Sequence, residues 1–124
     1  MHHRRTILAA FGAAMTLGLG RSALAHHGWR WTQDGNFELT GIIRGVRLGN
    51  PHGILQVDAD GEAWTVEVGQ PWRNERAGLK DDMLVPGVEI TASGHRAANP
   101  DEKRMKAERV TIDGQLYELY PDRD

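Results

Sequence analysis

Short apolar runs separated by turn residues follow the N-terminal segment, and this pattern predicts β-structure. The run at residues 39–48 is interrupted by two glycines four residues apart, Gly41 and Gly45. Glycine inside a strand usually marks a bend or a bulge, which a small barrel needs in order to close. The stretch NPHG at residues 50–53 has the residue order of a type I turn, so we expect a second strand at 54–57.

A third strand and a short helix are predicted next. The turn-forming stretch DADG at residues 58–61 leads into residues 64–68, where tryptophan and valine alternate as an inward face. Pro71 is well placed as a first helical residue, and Gly78 suits a C-terminal cap. We expect Trp72 to face the core from this helix, and a further turn to start at Asp81.

Two more strands complete the pattern. Residues 88–92 alternate as a fourth strand, and a polar loop is predicted over 94–104. The fifth strand, residues 105–112, has a phase fault in its apolar pattern. Met105 and Ala107 fall on one face, whereas Val110 and Ile112 fall on the other. A bulge near residues 108–109 would bring them onto one face. The Asp-Gly pair at 113–114 is expected to turn the chain into a polar tail.

Three strands, a helix and two strands within about 75 residues is the element order of an OB-type barrel. The sequence therefore predicts an all-β fold with one short helix, a small five-stranded OB-like barrel. An open β-sandwich that lacks full closure is the alternative. The sequence shows no internal repeat and no sign of a second domain.

Residues 1–25 have the three parts of an export signal. Arg4 and Arg5 provide the positive start, residues 7–19 form an apolar run, and small residues end the segment at Ala23 and Ala25. The run is too short to span a bilayer permanently. The arginine pair also resembles a twin-arginine signal, so both that route and the general secretory route stay open.

We expect cleavage after Ala25, a periplasmic location and no membrane anchor after processing. The mature chain would then be one domain, residues 26–124, of 99 residues. The signal contains three of the fifteen basic residues and none of the seventeen acidic ones, so the mature chain has a net charge of −5. Such a charge disfavours nucleic acid as a partner. The chain has no cysteine, which excludes disulfides and thiolate metal sites.

Five stretches of the mature chain carry a resemblance to known proteins: AHHGW, LTGIIRGVRLGNPHGILQV, WTVEVGQPWR, AGLKDDMLVPGVEITASGHRA and MKAERVTIDG. Through them, essentially the whole mature chain resembles a family of small exported bacterial proteins. That family is classed as a domain of unknown function and carries an Asn-Pro-His motif. Leu48 stands where an aromatic residue is common before the motif. The resemblance implies a single periplasmic domain and supplies no activity.

The four histidines of the mature chain are the candidate metal ligands: His26, His27, His52 and His95. After cleavage the α-amino group, whose pKa is about 8, would precede His26 directly. The amine and the His26 imidazole can form half of a histidine brace. Alternatively, the amine, the deprotonated His27 amide and the His27 imidazole form a planar nitrogen set. Both geometries suit Cu(II), and His52 or His95 could complete either one.

Simpler interpretations of these histidines stay open. The pair His26–His27 could be a solvated start to the chain, since termini are usually mobile. His52 could hydrogen-bond within its own turn, and His95 could be an exposed loop residue. Met105 is interpreted as core rather than as a soft ligand for Cu(I).

The sequence therefore predicts a periplasmic binding protein that is not an enzyme. Its sharpest chemical hypothesis is a Cu(II) site at the processed N-terminus. The alternative is a metal-free interaction module that uses the barrel to bind a protein partner or an envelope ligand. A small copper oxidase is a third hypothesis, but no substrate platform is recognisable.

Overall fold

The computed structural model describes residues 28–123, which divide at residue 30 into two compact units. The first unit contributes residues 28–30, a turn that begins at Gly28 with a φ of 89°. The second, from Trp31 onward, contains every element named below. The predicted signal and the pair His26–His27 lie outside the described residues.

The second unit contains six strands, one short α-helix and one turn of 3-10 helix. In chain order they are β1 (Phe37–Arg47), β2 (Ile54–Ala59), β3 (Glu62–Glu67), α1 (Pro71–Arg76), the 3-10 turn (Asp81–Met83), β4 (Glu89–Arg96), β5 (Arg104–Ile112) and β6 (Gln115–Glu118). No helix within residues 28–123 is long and apolar enough to cross a membrane.

Five of the strands close into a barrel. The sheet order is β3-β2-β1-β4-β5-β6 with antiparallel neighbours, and a parallel pairing of β3 with β5 closes the ring. This parallel pairing joins residues 65–67 to residues 104–106. The small OB-like barrel is therefore confirmed, and the open sandwich is wrong because the sheet closes on itself. β6 is an extra strand that pairs with the second half of β5.

Two bulges bend the strands as a closed barrel requires. In β1, Ile43 pairs with Val57 and Gly45 with Gln56, which leaves Arg44 as the extra residue. In β5 the extra residue is Glu108, because Ser93 pairs with Arg109 and Gly94 with Ala107. The second bulge brings the apolar residues of β5 onto one face, as the phase fault predicted.

The buried apolar core of this unit consists of Leu39, Ile43, Leu55, Val57, Ala59, Trp64, Val66, Val68, Leu79, Leu84, Ile90, Ala92, Met105, Ala107, Val110 and Leu119.

The helix lies between β3 and β4 and is anchored through Asn74. The backbone N–H of Gly69 donates to Asn74 Oδ1 at 2.9 Å, and Asn74 Nδ2 donates to the Gly69 carbonyl at 2.9 Å. Pro71 begins the helix, and Gly78 follows it with a φ of 89°, as the capping residues predicted.

Four local expectations are wrong. Trp72 is 52% exposed, because α1 turns its Asn74 side inward instead. The segment after residue 114 is not a polar tail, since it forms β6 and then buries Leu119 in the core. The backbone at residues 50–51 bends with a cis Asn50–Pro51 peptide and forms no hydrogen-bonded turn, and β4 extends to Arg96 into the predicted loop.

Candidate functional site at the helix and the C-terminal segment

Strand β5 is buried on both faces, and its outer face carries buried charges. The Lys106 side chain is 2% exposed and its Nζ lies 3.0 Å from Glu67 Oε2. The two residues are cross-strand partners in the parallel β3–β5 pairing, so the barrel closure itself places them together. Burial lowers the pKa of Lys106, and the neighbouring Glu67 carboxylate opposes that shift by favouring the charged amine.

Glu67 is the centre of a wider group of basic side chains. Arg104 Nη2 lies 3.7 Å from Glu67 Oε1, and the Arg104 guanidinium stacks on the Trp31 ring with its Cζ 3.6 Å from the ring centroid. His52 Nδ1 lies 3.7 Å from Glu67 Oε2. Burial lowers the pKa of His52, and the charges of Lys106 and Arg73 lower it further against the opposing effect of Glu67. His52 is therefore neutral at pH 7.

A second buried carboxylate, Glu108, holds the other described histidine. His95 Nε2 lies 3.0 Å from Glu108 Oε2, and His95 Nδ1 donates to the Gly35 carbonyl at 2.7 Å. Arg123 Nε donates to the same Glu108 oxygen at 3.1 Å, and Arg109 Nη1 lies 3.7 Å from Glu108 Oε1. Both ring nitrogens of His95 thus already have protein partners.

Residues 119–123, here called the C-terminal segment, cover this charged face of β5. The backbone N–H groups of Leu119 and Tyr120 donate to the Glu108 carbonyl at 2.9 and 3.1 Å. The bulge at Glu108 frees that carbonyl from the regular ladder, so the bulge also provides the attachment point of the segment. Tyr120 then lies above Lys106, with Lys106 Nζ 5.7 Å from the centre of its ring.

The helix and the C-terminal segment meet at Arg73. Its guanidinium carbon lies 4.6 Å from the centre of the Trp72 ring and 4.1 Å from that of Tyr120. Arg73 Nη1 donates to the Leu119 carbonyl at 3.1 Å. The Trp72 ring forms the outer side of this stack and is exposed. We call this surface the α1 face; it consists of Trp72, Arg73, Arg76 and Tyr120.

A small cavity of about 110 Å³ lies beside the α1 face, between the helix and the C-terminal segment. Arg73 and Arg76 line it from the helix, and Glu118, Leu119 and Pro121 line it from the opposite side. The volume accommodates a functional group rather than a whole ligand, because small-molecule pockets usually measure about 300–1,000 Å³.

The two described histidines of the predicted metal set belong to different groups. His52 contacts Glu67, whereas His95 contacts Glu108 and is paired across the strands with Lys106. Within residues 28–123, no three metal-ligating side chains come together. Met105 is fully buried in the core, as expected. Whether His26 and His27 bind a metal stays a prediction.

The charged residues of the site were missed in the sequence. Lys106 and Glu108 alternate with apolar residues in β5, which is the pattern of a strand with one solvated face. The signal that could have revealed their burial is the Leu119–Tyr120 pair in the predicted tail, since a solvated tail has no need of two large apolar residues.

The strand order and the parallel β3–β5 closure define an OB-type barrel. Within this class the chain belongs to a family of unknown function, DUF6152, whose sequence model matches residues 15–106. No curated protein matches the chain.

Two solved structures share the fold at low sequence identity. One is in the S. pombe Stn1-ten1 complex, with 15% identity and a TM-score of 0.50 over 62% of this chain and 57% of that chain. The other is a ZRD-deleted mutant of TiaS in complex with agmatine, with 14% identity and a TM-score of 0.50 over 68% of this chain and 26% of that one. The chain thus spans little more than half of the first relative and about a quarter of the second. At these identities the likeness shows the fold alone.

Proposed function

We propose that this protein is an exported, periplasmic binding protein without catalytic activity, and that its α1 face binds a protein partner or an envelope ligand. The observation that supports this most directly is the stack of Trp72, Arg73 and Tyr120 with its outer tryptophan exposed. Tryptophan, tyrosine and arginine are the residues most enriched among those that dominate binding energy at interfaces.

The rigidity of the stack supports the same proposal. Arg73 is fixed by two rings and by its hydrogen bond to the Leu119 carbonyl, so binding would cost little side-chain entropy. The buried amine favours binding over catalysis. Lys106 has an altered pKa, as catalytic lysines often do, but its side chain is enclosed between Glu67 and Tyr120 and is only 2% exposed.

The test is site-specific photo-crosslinking in cells that export the protein. A benzophenone amino acid at position 72 should give a discrete adduct, which mass spectrometry identifies. The matched control is position 116, because Leu116 is 48% exposed and lies on β6 without being part of the stack. Identical adducts at both positions, or none at position 72, would count against the α1 face.

A Cu(II) site at the processed N-terminus is the second candidate, and the sequence favours it through the pair His26–His27 directly after Ala23-Leu24-Ala25. His52 supports it as an additional ligand because its imidazole is neutral at pH 7. His95 is a poorer ligand, since Glu108 and the Gly35 carbonyl occupy its nitrogens.

Copper titration of the mature protein tests this candidate. One tight equivalent should bind, and both a one-residue Met extension and His27→Ala should weaken it sharply. His26→Ala separates the two geometries, because the brace loses its imidazole whereas the planar set retains its ligands. His52→Asn should have a smaller effect and His95→Ala none. Equal binding by the native and the extended forms would refute an N-terminal site.

A further inference from the structure

Two arginines of α1 have no carboxylate partner in the described part of the chain. The other cations of this region are matched: Lys106 and Arg104 by Glu67, and Arg123 by Glu108. Arg73 and Arg76, one helical turn apart, form no ion pair within residues 28–123. Because both line the same small cavity, that cavity has two arginines on its helix side.

Arg73 also has an unused donor. Its Nε is buried and has no hydrogen-bond acceptor among the described residues, although its Nη1 donates to the Leu119 carbonyl. A buried donor without a partner has lost its hydrogen bonds to water and gained none in return, so such groups call for an explanation. An acceptor that arrives with a ligand would provide one.

The surroundings favour a negative ligand. Burial lowers the pKa of Lys106, the Glu67 carboxylate raises it, and the cations Arg123 and Arg73 lower it further, so both arginines contribute positive potential at this end of the barrel. Glu118 is the acidic residue that lines the cavity, and its Oε1 accepts a hydrogen bond from Arg109 Nε at 3.0 Å. The Glu118 carboxylate is therefore paired with Arg109 of β5 and not with an arginine of the helix.

We infer that this cavity is a subsite for an anionic end group, a carboxylate or a phosphate, of the ligand that the α1 face binds. The inference rests on the proposed function. Guanidinium groups match both oxyanions through paired N–H donors, and the cavity of about 110 Å³ accepts a group of that size. The remainder of the ligand would lie across the exposed Trp72 ring.

The test compares small probes by NMR at low ionic strength, with the Arg73 Nε–H signal as the readout. N-acetylalanine represents a carboxylate end group, methyl phosphate represents a phosphate end group, and sodium chloride provides the ionic-strength baseline. N-acetylalaninamide is the neutral analogue of the first probe. At least one of the two anions should shift the Arg73 signal to saturation. The anion that binds more tightly shows whether the end group is a carboxylate or a phosphate. Binding of the neutral amide as tight as that of the acid would overturn the inference.

Arg76→Gln is the informative variant, because Arg76 is exposed and its replacement leaves the Arg73 stack in place. It should weaken anion binding at least tenfold, whereas the control Arg47→Gln, at an exposed arginine of β1, should not change it. Unchanged binding by Arg76→Gln would refute the subsite. If crosslinking at position 72 persists while neither anion binds, the subsite fails and the binding face stands. If an anion binds but position 72 gives no adduct, the proposed function fails instead.

Discussion

Lys106→Met should be among the most destabilising single changes in this barrel that leave the core volume intact. Methionine retains much of the aliphatic length of lysine and removes only the amine that lies 3.0 Å from Glu67 Oε2. Glu67 would keep a buried charge, with Arg104 at 3.7 Å and the neutral His52 as its remaining neighbours. Removing one partner of a buried ion pair typically costs about 3–5 kcal/mol.

That cost is a large part of the free energy of unfolding, which is about 5–15 kcal/mol for small domains. Urea unfolding at pH 7 measures it. With a slope of about 1–3 kcal/mol per molar urea, the midpoint should fall by at least about 1 M. The double variant Glu67→Gln/Lys106→Met should recover part of the loss, because it leaves no isolated buried charge.

The ion pair between Lys103 and Glu62 is a matched control, because it also joins β3 to the chain at the start of β5, through the residue that precedes this strand. Lys103 Nζ lies 3.4 Å from Glu62 Oε2, but these side chains are 44% and 55% exposed. Lys103→Met should therefore cost only about 0–1 kcal/mol, as surface ion pairs do. If Lys106→Met costs no more than Lys103→Met, the reasoning from burial is refuted.

Two further predictions concern pH and backbone packing. Because the folded pKa of His52 lies below its unfolded value of 6.5, the unfolded chain takes up the proton first as the pH falls. Stability should be full above about pH 6.5 and decline below it by at most about 1.4 kcal/mol per pH unit, and His52→Asn should remove this part of the slope between pH 7.5 and 5.5. An unchanged slope in His52→Asn would contradict the assignment. Gly94→Ala should cost several kcal/mol in the same urea assay, because the new Cβ would overlap the Lys106 carbonyl oxygen opposite the β5 bulge. Gly45→Ala, whose Cβ would meet only the Gln56 side chain at 3.5 Å, should be tolerated, and equal losses would exclude backbone overlap as the cause.

The parts of the fold that could be predicted depend on local chemistry. Short apolar runs bounded by turn residues identified the five barrel strands, Pro71 and Gly78 bounded the helix, and the phase fault in β5 predicted a bulge that the structure has at Glu108. Each of these signals lies within a few residues of the feature it predicts. The twofold period of a strand follows from its own geometry, so a strand can be recognised from its local sequence.

The candidate site could not be predicted because it depends on contacts distant in sequence. Alternation shows that β5 has a polar face, but not that residues 119–123 cover it. Lys106 and Glu67 become neighbours only through the parallel closure, which no local pattern encodes. Trp72 was expected to face the core from the helix, whereas Asn74 holds the inward position through its bonds to Gly69.

The closure of the barrel has a consequence for the order in which the protein acquires its structure during synthesis. β5 pairs with β3, with β4 and with β6, so the last long strand to be made is the partner of three others. A nascent chain that ends before residue 104 has a meander of β1, β2 and β3 whose outer edge at β3 has no neighbour. Unpaired edges of this kind recruit other chains. The barrel can therefore close only once β5 is available, and until then the edge of β3 stays open to pairing with another chain.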